Sequence, residues 1–486
     1  MEIYRSLGIE NKDPAPEDFV LQRAHVESVT GKWGNNSSWS DTETTSETNK
    51  QKNLKTLPKP DGPKKEYSVE QGSAIPQDKL EPILEALARK RGADIRRQQK
   101  VISIDQSTKG VTVTVQDAQG DQRQIKGSYI IAADGNRSMI RELLQIPRHG
   151  RGFMQNLHSV LFRAPIEKWT KGIVQFDIEQ TDLKAFLASY SDGRWALMFK
   201  DDIQRNENAL RKAIYQAIGR SDFPVEIITT GSWELTALVA DTFRCGRIFL
   251  AGDAAHTLPP NRGGYGANTG IHDVHNLAWK LSAVLSGKSS EGILDTYEAE
   301  RRPVALLRHD QIFVRADYKV HLDAAMPAGE KIDDDAMEFG QIYLSGGFVG
   351  TDGGLPRAMK PDEWNGQPGT LSPHIWVAKD GERVPLLDLL DHEGWTLISE
   401  SGAWSGVVAS VAKESSISLR ALRFGHDVEL VRQQDFQDAF GVSHTGAVLI
   451  RPDGYISWRV RELPSNPAGI LDEVLATVSF RVNDSV

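Results

Sequence analysis

The chain has 486 residues, of which 39% are hydrophobic and 25% charged, with a formal net charge of −9 at pH 7. At roughly 150 residues per domain this is room for about three globular domains. The acidic balance argues against nucleic acid or an anionic membrane as the main partner, and no run of 18 apolar residues offers a spanning helix. Cys245 is the single cysteine, which excludes an internal disulfide, a Cys-x-x-Cys redox pair and a cysteine-based zinc site. The first residues, Met1 to Gly8, carry no secretory leader, so the cytoplasm is the expected compartment.

Gly31 to Lys65 is polar and rich in breakers, and reads as a long surface loop or a disordered segment. From Gln77 to Lys90, Leu80, Ile83, Leu84, Leu87 and Ala88 share one helical face, and Gly92 ends the helix. Val111, Val113 and Val115 alternate with Thr112 and Thr114 as a half-buried strand, followed by a turn at Asp117 to Gly120. Tyr129 to Ala133 is an apolar run that predicts a buried strand. Asp134-Gly135 follows it, then a helix through Leu143. Between about 150 and 240, stretches such as Ile173 to Ile178 and Trp195 to Phe199 predict antiparallel strands, with a helix from Ala209 to Gly219.

The most informative stretch runs from Arg247 to Leu285. Ile248 to Ala251 predicts another buried strand, stopped by Gly252, with Asp253 at its carboxyl end, where open α/β sheets bind ligands. Pro259 and Pro260 stiffen the following loop, and Gly263, Gly264 and Gly266 let the backbone come very close to something flat. A helix is expected from Ala267, with Ile271, Val274, Ala278, Leu281 and Leu285 as its apolar stripe; its start offers N–H groups and partial positive charge. Leu294 to Arg308 continues as helix, and its arginines could pair with acidic neighbours. From Gly366 onward, strands alternate with helices, with a hairpin turn at Asp453-Gly454, as in a small α/β domain.

Gly252-Asp253, the run Gly263 to Gly270 and the run Asp273 to Leu281 together resemble the flavin-dependent aromatic hydroxylases, most closely the branch that acts on phenols and aromatic polyketides. The resemblance implies an α/β fold: a Rossmann-like FAD/NAD(P)-binding domain, an antiparallel substrate sheet and a C-terminal thioredoxin-like domain. The implied boundaries are a partial FAD-binding domain over 1–149, a substrate sheet over 150–240, a return to the FAD-binding domain over 241–330, a linker over 331–365 and the last domain over 366–486. With no cysteine of its own, that last domain cannot do dithiol chemistry; packing or homodimerisation is its expected use.

The implied chemistry is reduction of FAD by NAD(P)H and reaction with O2 to a flavin hydroperoxide. Its distal oxygen is transferred to a carbon of a small aromatic substrate. By the same resemblance, Asp253 holds the ribityl hydroxyls, and Gly252, Gly264, Gly266 and Asn268 complete that part of the cofactor site. Pro260 lines the ring face near the oxygen site, Gly263 lets the ring approach the main chain, and the helix start at Ala267 stabilises charge on the reduced ring. Gln77, in Ile75 to Glu81, resembles a second flavin contact, with a surface or capping glutamine as the alternative. Asp134 resembles the family's Asp-Gly motif, with an Asx turn capping the next helix as the alternative or the companion role. The segment 31–65 corresponds to a hairpin and lid over the substrate in relatives, and a variable loop is an at least equal reading.

Met1 to Glu10 resembles an internal helix of the family, which in relatives follows a unit carrying Gly-x-Gly-x-x-Gly. That pattern does not follow a strand anywhere in the 486 residues. The expectation is therefore weak FAD binding or poor stability, with a truncated, non-catalytic relative acting as a binding protein as the alternative function. Flavin chemistry with another outcome, ring opening or oxidation without oxygen transfer, is a further rival. Other enzyme classes fail on spacing: Gly287-Lys288-Ser289 has Ser282 where a phosphate loop needs glycine, no Gly-x-Ser-x-Gly occurs, and His256, His272 and His275 do not form a His-Glu-x-x-His helix.

Overall fold

In a computed structural model, the described residues are 2–9, 22–38, 65–70, 75–260, 264–315, 329–432 and 435–482. The middle part of the polar segment, 39–64, lies outside them, and so does Gly263. The part of that segment within them is not loop: β1 (Gln22–Val26) pairs antiparallel with β2 (Trp33–Ser38).

A short helix α1 (Glu2–Ser6) and the predicted helix α2 (Gln77–Lys90) precede a three-stranded antiparallel meander, β3 (Lys100–Ser107), β4 (Gly110–Gln116) and β5 (Gln122–Gly127). Within β4, Val111 and Val115 are buried, as the alternation requires. The next strand, β6 (Ile130–Ala132), leads to α3 (Met139–Leu143). Among the described residues β6 has one hydrogen-bonded neighbour, and Ile131 is 43% exposed. The expectation of a buried strand is thus corrected, because one edge of β6 is unpaired and one face uncovered.

The middle of the chain forms β7 (Arg148–Arg163), β8 (Gln175–Glu179), β9 (Lys184–Ser189), β10 (Arg194–Phe199), helix α4 (Glu207–Ile218) and β11 (Glu226–Ala240). Asn206 caps α4 by accepting from the Ala209 N–H at 3.0 Å, so the helix starts two residues before its apolar pattern does. Next come β12 (Arg244–Cys245), β13 (Ile248–Leu250) and β14 (His256–Thr257). These strands build an eight-stranded sheet in the order β14-β11-β7-β10-β9-β8-β1-β2, antiparallel except where β1 runs parallel to β8. The sheet draws β1, β2 and β14 from outside 150–240. One face packs Phe162, Phe176, Ile178, Leu187, Trp195 and Leu197 against Leu210, Ile214 and Ala217 of α4. Each such buried side chain contributes about 1.5–3 kcal/mol.

The smaller sheet, β12-β13-β6, carries the parallel pair β13–β6; Ile248, Phe249 and Leu250 are essentially inaccessible, as their apolar run predicts. Helices α5 (Tyr265–Leu285) and α6 (Asp295–Phe313) pack beside it, and α7 (Asp334–Phe339) follows.

The last domain has a hairpin, β15 (Trp376–Lys379) with β16 (Glu382–Pro385), and a central sheet of β17 (Trp395–Ser399), β18 (Leu419–Arg423), β20 (Ala447–Ile450) and β21 (Ile456–Val460), with β19 (Glu429–Leu430) on the hairpin. The central order is β18-β17-β20-β21, with β17 and β18 parallel and the other pairs antiparallel. Helices α8 (Ala403–Glu414) and α10 (Pro467–Ser479) bury Val408, Val411, Leu471 and Leu475 on one face, and α9 (Asp435–Phe440) covers the other with Phe436 and Phe440. This is the thioredoxin-like arrangement expected, and Gly454 makes its hairpin turn at φ +85°.

Candidate functional site

Asp253 sits in a single helical turn, Gly252–Ala254, directly after β13. Gly252 adopts φ +58°, a left-handed conformation that costs other residues roughly 1–2 kcal/mol. The turn is fixed by four elements. Ala251 N–H donates to the Ala132 carbonyl of β6 at 3.0 Å. The buried Arg141 of α3 donates to the Ala254 carbonyl at 2.9 Å, and Tyr297 of α6 donates its hydroxyl proton to the Leu250 carbonyl at 2.7 Å. From α5, Asp273 accepts the Gly252 N–H at 3.2 Å.

Held in this way, the turn leaves the Asp253 side chain exposed at the strand's carboxyl end. The surrounding protein still strips enough water to push its carboxyl above the ordinary carboxylate value, and nearby His256 opposes that shift. The backbone of α5 comes in close beneath the turn: a Cβ added to Gly270 would stand 3.0 Å from the Gly252 Cα. Gly264, at φ +59°, turns the chain into α5 and offers no side-chain cap to its start. Its own Cβ would meet Asn268 Nδ2 at 3.5 Å, and one on Gly266 the Leu258 carbonyl at 3.6 Å, so the surface here is bare main chain. Helix α5 begins at Tyr265, two residues before the position expected from its composition, because Gly264 supplies the turn. Pro260, Gly264 and Ala267 are exposed, while Gly266 and Asn268 are half-buried.

Of the remaining predicted residues, Asp134 lies beside this turn through β6 and accepts the Ile140 N–H in the first turn of α3 at 3.1 Å. The N-cap of that helix is Ser138, which accepts from the Arg141 N–H at 3.0 Å, so the expected Asx turn is replaced by a contact from six residues upstream. Gln77 is exposed at the start of α2, where it donates to Glu81 of its own helix at 2.5 Å.

The expected apolar stripe of α5 is corrected at three of its five positions; Leu281 is buried as expected and Ile271 half-buried. Val274, Ala278 and Leu285 are exposed, and the buried face is Tyr265, Thr269, Asp273, Asn276, Leu277, Lys280 and Leu281. The reason is a set of fully buried partners on α6 and in the last domain. Asp273 Oδ2 meets His256 Nε2 at 2.7 Å, and its Oδ1 accepts from Arg301 Nε at 2.8 Å. Burial works against the Asp273 charge, but His256 and Arg301 outweigh it and hold its pKa at about 2. Lys280 donates to Glu300 at 2.8 Å, and burial lowers its pKa to about 8 against the pull of that carboxylate. Asp273, His256, Arg301 and Arg141 escaped sequence reading as site residues; Asp273, Asn276 and Lys280 at helical spacing were the available signal. His272 and His275 line a cavity of about 70 Å³ that also includes His374 and His392; burial pushes both α5 imidazoles downward in pKa.

Strand-end carboxylate, glycine-opened helix start and neighbouring antiparallel sheet belong to the class of nucleotide-cofactor oxidoreductases. The chain belongs to the FAD-dependent aromatic-ring hydroxylases. Residues 1–310 match the FAD binding domain and residues 365–479 match the C-terminal domain of aromatic-ring hydroxylases. It is 36% identical over 441 residues to 4-methyl-5-nitrocatechol 5-monooxygenase of Burkholderia sp, covering 86% of this chain and 80% of that one. It is 34% identical over 430 residues to tetracenomycin A2 monooxygenase-dioxygenase of Streptomyces glaucescens, covering 84% and 76%. The fold matches the ternary complex of aklavinone-11 hydroxylase with FAD and aklavinone at a TM-score of 0.84 and 29% identity, covering 99% of this chain and 90% of that one.

The chain is thus an FAD-dependent enzyme. The expectation of a non-catalytic relative acting as a binding protein is corrected, since the relatives the chain matches are named monooxygenases and hydroxylases. No helix among the described residues is long and apolar enough to cross a membrane.

Proposed function

We propose that the chain hydroxylates a small aromatic substrate, phenolic or polyketide-like, in the cytoplasm, consuming NAD(P)H and O2. One oxygen atom enters the ring and the other leaves as water, with NAD(P)H supplying the two electrons. Bound FAD supplies the redox chemistry, carrying those electrons to O2. The observation that carries this reading is the exposed Asp253 carboxylate at the end of β13, above the bare glycine start of α5.

The residues suit the ring and ribityl part of the cofactor. Asp253 accepts hydrogen bonds from ribityl hydroxyls, and Gly252, Gly264, Gly266 and Asn268 bring main chain to the ring. The first turn of α5, which contains Ala267, would direct its dipole at charge on the reduced ring. Pro260 borders the oxygen side. Gln77 and Asp134 complete the cofactor contacts. The adenosine half is assigned to no residue here. The names of relatives support an aromatic substrate: a nitrocatechol in one and polyketides in others.

The test is purified protein given FAD, NADPH, ¹⁸O2 and a panel of phenols and polyketide aromatics. A product heavier by one labelled oxygen, with the ring intact, is expected. Asp253→Ala should lose FAD and activity together. The second reading, insertion of both oxygen atoms, has one observation behind it, the monooxygenase-dioxygenase name of one relative. Two labelled oxygens in the product would replace the first reading by the second; NADPH oxidation with no labelled product would refute both.

A further inference from the structure

We infer that the C-terminal domain is a positioning element of the flavin turn, acting through Tyr455, Tyr343, Arg301 and Asp273. The inference rests on the proposal that Gly252-Asp253 is that turn. Each link is a short contact between buried groups. The Tyr455 ring, in the hairpin of the last domain, stacks on Tyr343 with centroids 4.1 Å apart and planes inclined by 14°. The Tyr343 hydroxyl accepts from Arg301 Nη1 at 2.7 Å. Arg301 donates through Nε to Asp273 and through Nη2 to the Thr269 carbonyl at 3.2 Å. Asp273 then holds the Gly252 N–H and His256.

A second line runs alongside it, one residue away on α6. Arg451 of the same hairpin grips both oxygens of Glu300, at 2.9 and 3.0 Å, and Glu300 also accepts from Asn276 at 2.7 Å and Lys280 at 2.8 Å on α5. Consecutive residues of α6 thus face two ways: Glu300 towards the last domain and Arg301 towards the turn. All of these side chains are essentially inaccessible except Tyr455, at 8%. Loss of one link frees Arg301 to rotate, and the Gly252 N–H then loses the fixed orientation of its acceptor. Spatial continuity alone does not establish coupling, so the measurement must read the turn itself.

The experiment uses the full chain with and without FAD. Amide hydrogen exchange is followed in the peptide covering Gly252 to His256, and FAD affinity by titration. The variants are Tyr343→Phe, which removes the hydroxyl acceptor and keeps the stack, and Tyr455→Leu, which removes the stack. Val411→Ala, in the far core of the same domain, is the comparator for general loosening. In the FAD-free chain, Tyr343→Phe and Tyr455→Leu should each speed exchange of the turn by about five-fold, the worth of one hydrogen bond. FAD should bind more weakly by a similar factor, and Val411→Ala should leave both within two-fold. Combining Tyr343→Phe with Asp273→Asn should fall short of the product of the single effects. Unchanged exchange, or an equal rise in Val411→Ala, would overturn the coupling while leaving Asp253 as the flavin residue. Faster exchange with unchanged FAD affinity would overturn the flavin end of the inference, and the assignment of Asp253 with it.

Discussion

Asp273→Asn is the sharpest test of what holds the turn. The carboxylate is wholly inaccessible, lies 2.8 Å from Arg301 Nε and 2.7 Å from His256, and accepts the Gly252 N–H. Its pKa of about 2, against an ordinary 3.8, is worth about 2 kcal/mol of folding stability at neutral pH. The folded value is the lower one, so this contribution is complete above the unfolded pKa and is lost as pH falls from about 4 through 2. Asparagine keeps the shape but leaves Arg301 buried without its anion and points an amide donor at one of three donors. Removing one member of a buried ion pair costs about 3–5 kcal/mol. Urea unfolding at pH 7 should show that loss, and repeats at pH 5, 4 and 3 should show the gap between wild type and variant narrowing as Asp273 protonates. A loss below about 1 kcal/mol at pH 7 would refute the reasoning, as would a gap indifferent to pH.

Gly270→Ala places a methyl group 3.0 Å from the Gly252 Cα, with backbone on both sides, so something must move. It should cost about 1–3 kcal/mol in thermal unfolding, and FAD titration should show weaker binding. Arg451→Met strips Glu300 and Asp453 of their shared arginine, which sits 2.9 Å from one and 3.0 Å from the other. A loss of about 3–5 kcal/mol is expected, with limited proteolysis cutting between the two domains faster than in wild type.

The candidate site was legible where chemistry is carried by backbone. Gly252, Gly264 and Gly266 announce bare main chain, and an apolar run ending in Gly-Asp announces a strand end. The supports were harder to read. Asp273, Asn276 and Lys280 interrupt an apolar helix, and periodicity then assigns them to solvent and Val274 and Leu285 to the core; the structure does the reverse. Hydrophobic pattern fails here because the partners, Arg301, Glu300 and Arg451, lie 20 to 180 residues away, and a buried charge is tolerable in proportion to such partners. The exposed face of Ile131 has a similar cause: an apolar run predicts burial, but covering it requires a neighbour that composition does not supply. The two parts of the large sheet contributed by residues 22–38 and 256–257 carry no signal of their shared destination: the first reaches from Arg23 to Gln175 to find its parallel partner, and the second is a two-residue strand too short to show a pattern.

The two aspartates of the turn illustrate how one segment separates structure from function. Asp253 and Asp273 are the same group, set on either side of Gly252. Loss of water raises the pKa of Asp253 with partial relief from His256; His256 and Arg301 together lower that of Asp273 despite complete burial. Asp273 is therefore a permanent anion, and its fixed lone pairs are what a main-chain N–H needs from a directional partner. Apolar side chains in place of the whole buried set could supply packing energy of similar size, but could not orient Gly252. Asp253 feels His256 only at a distance and turns its acceptor oxygens outward, where a ligand with hydroxyl groups can reach them. The charge spent inside the protein on one carboxylate is what leaves the other turned outward.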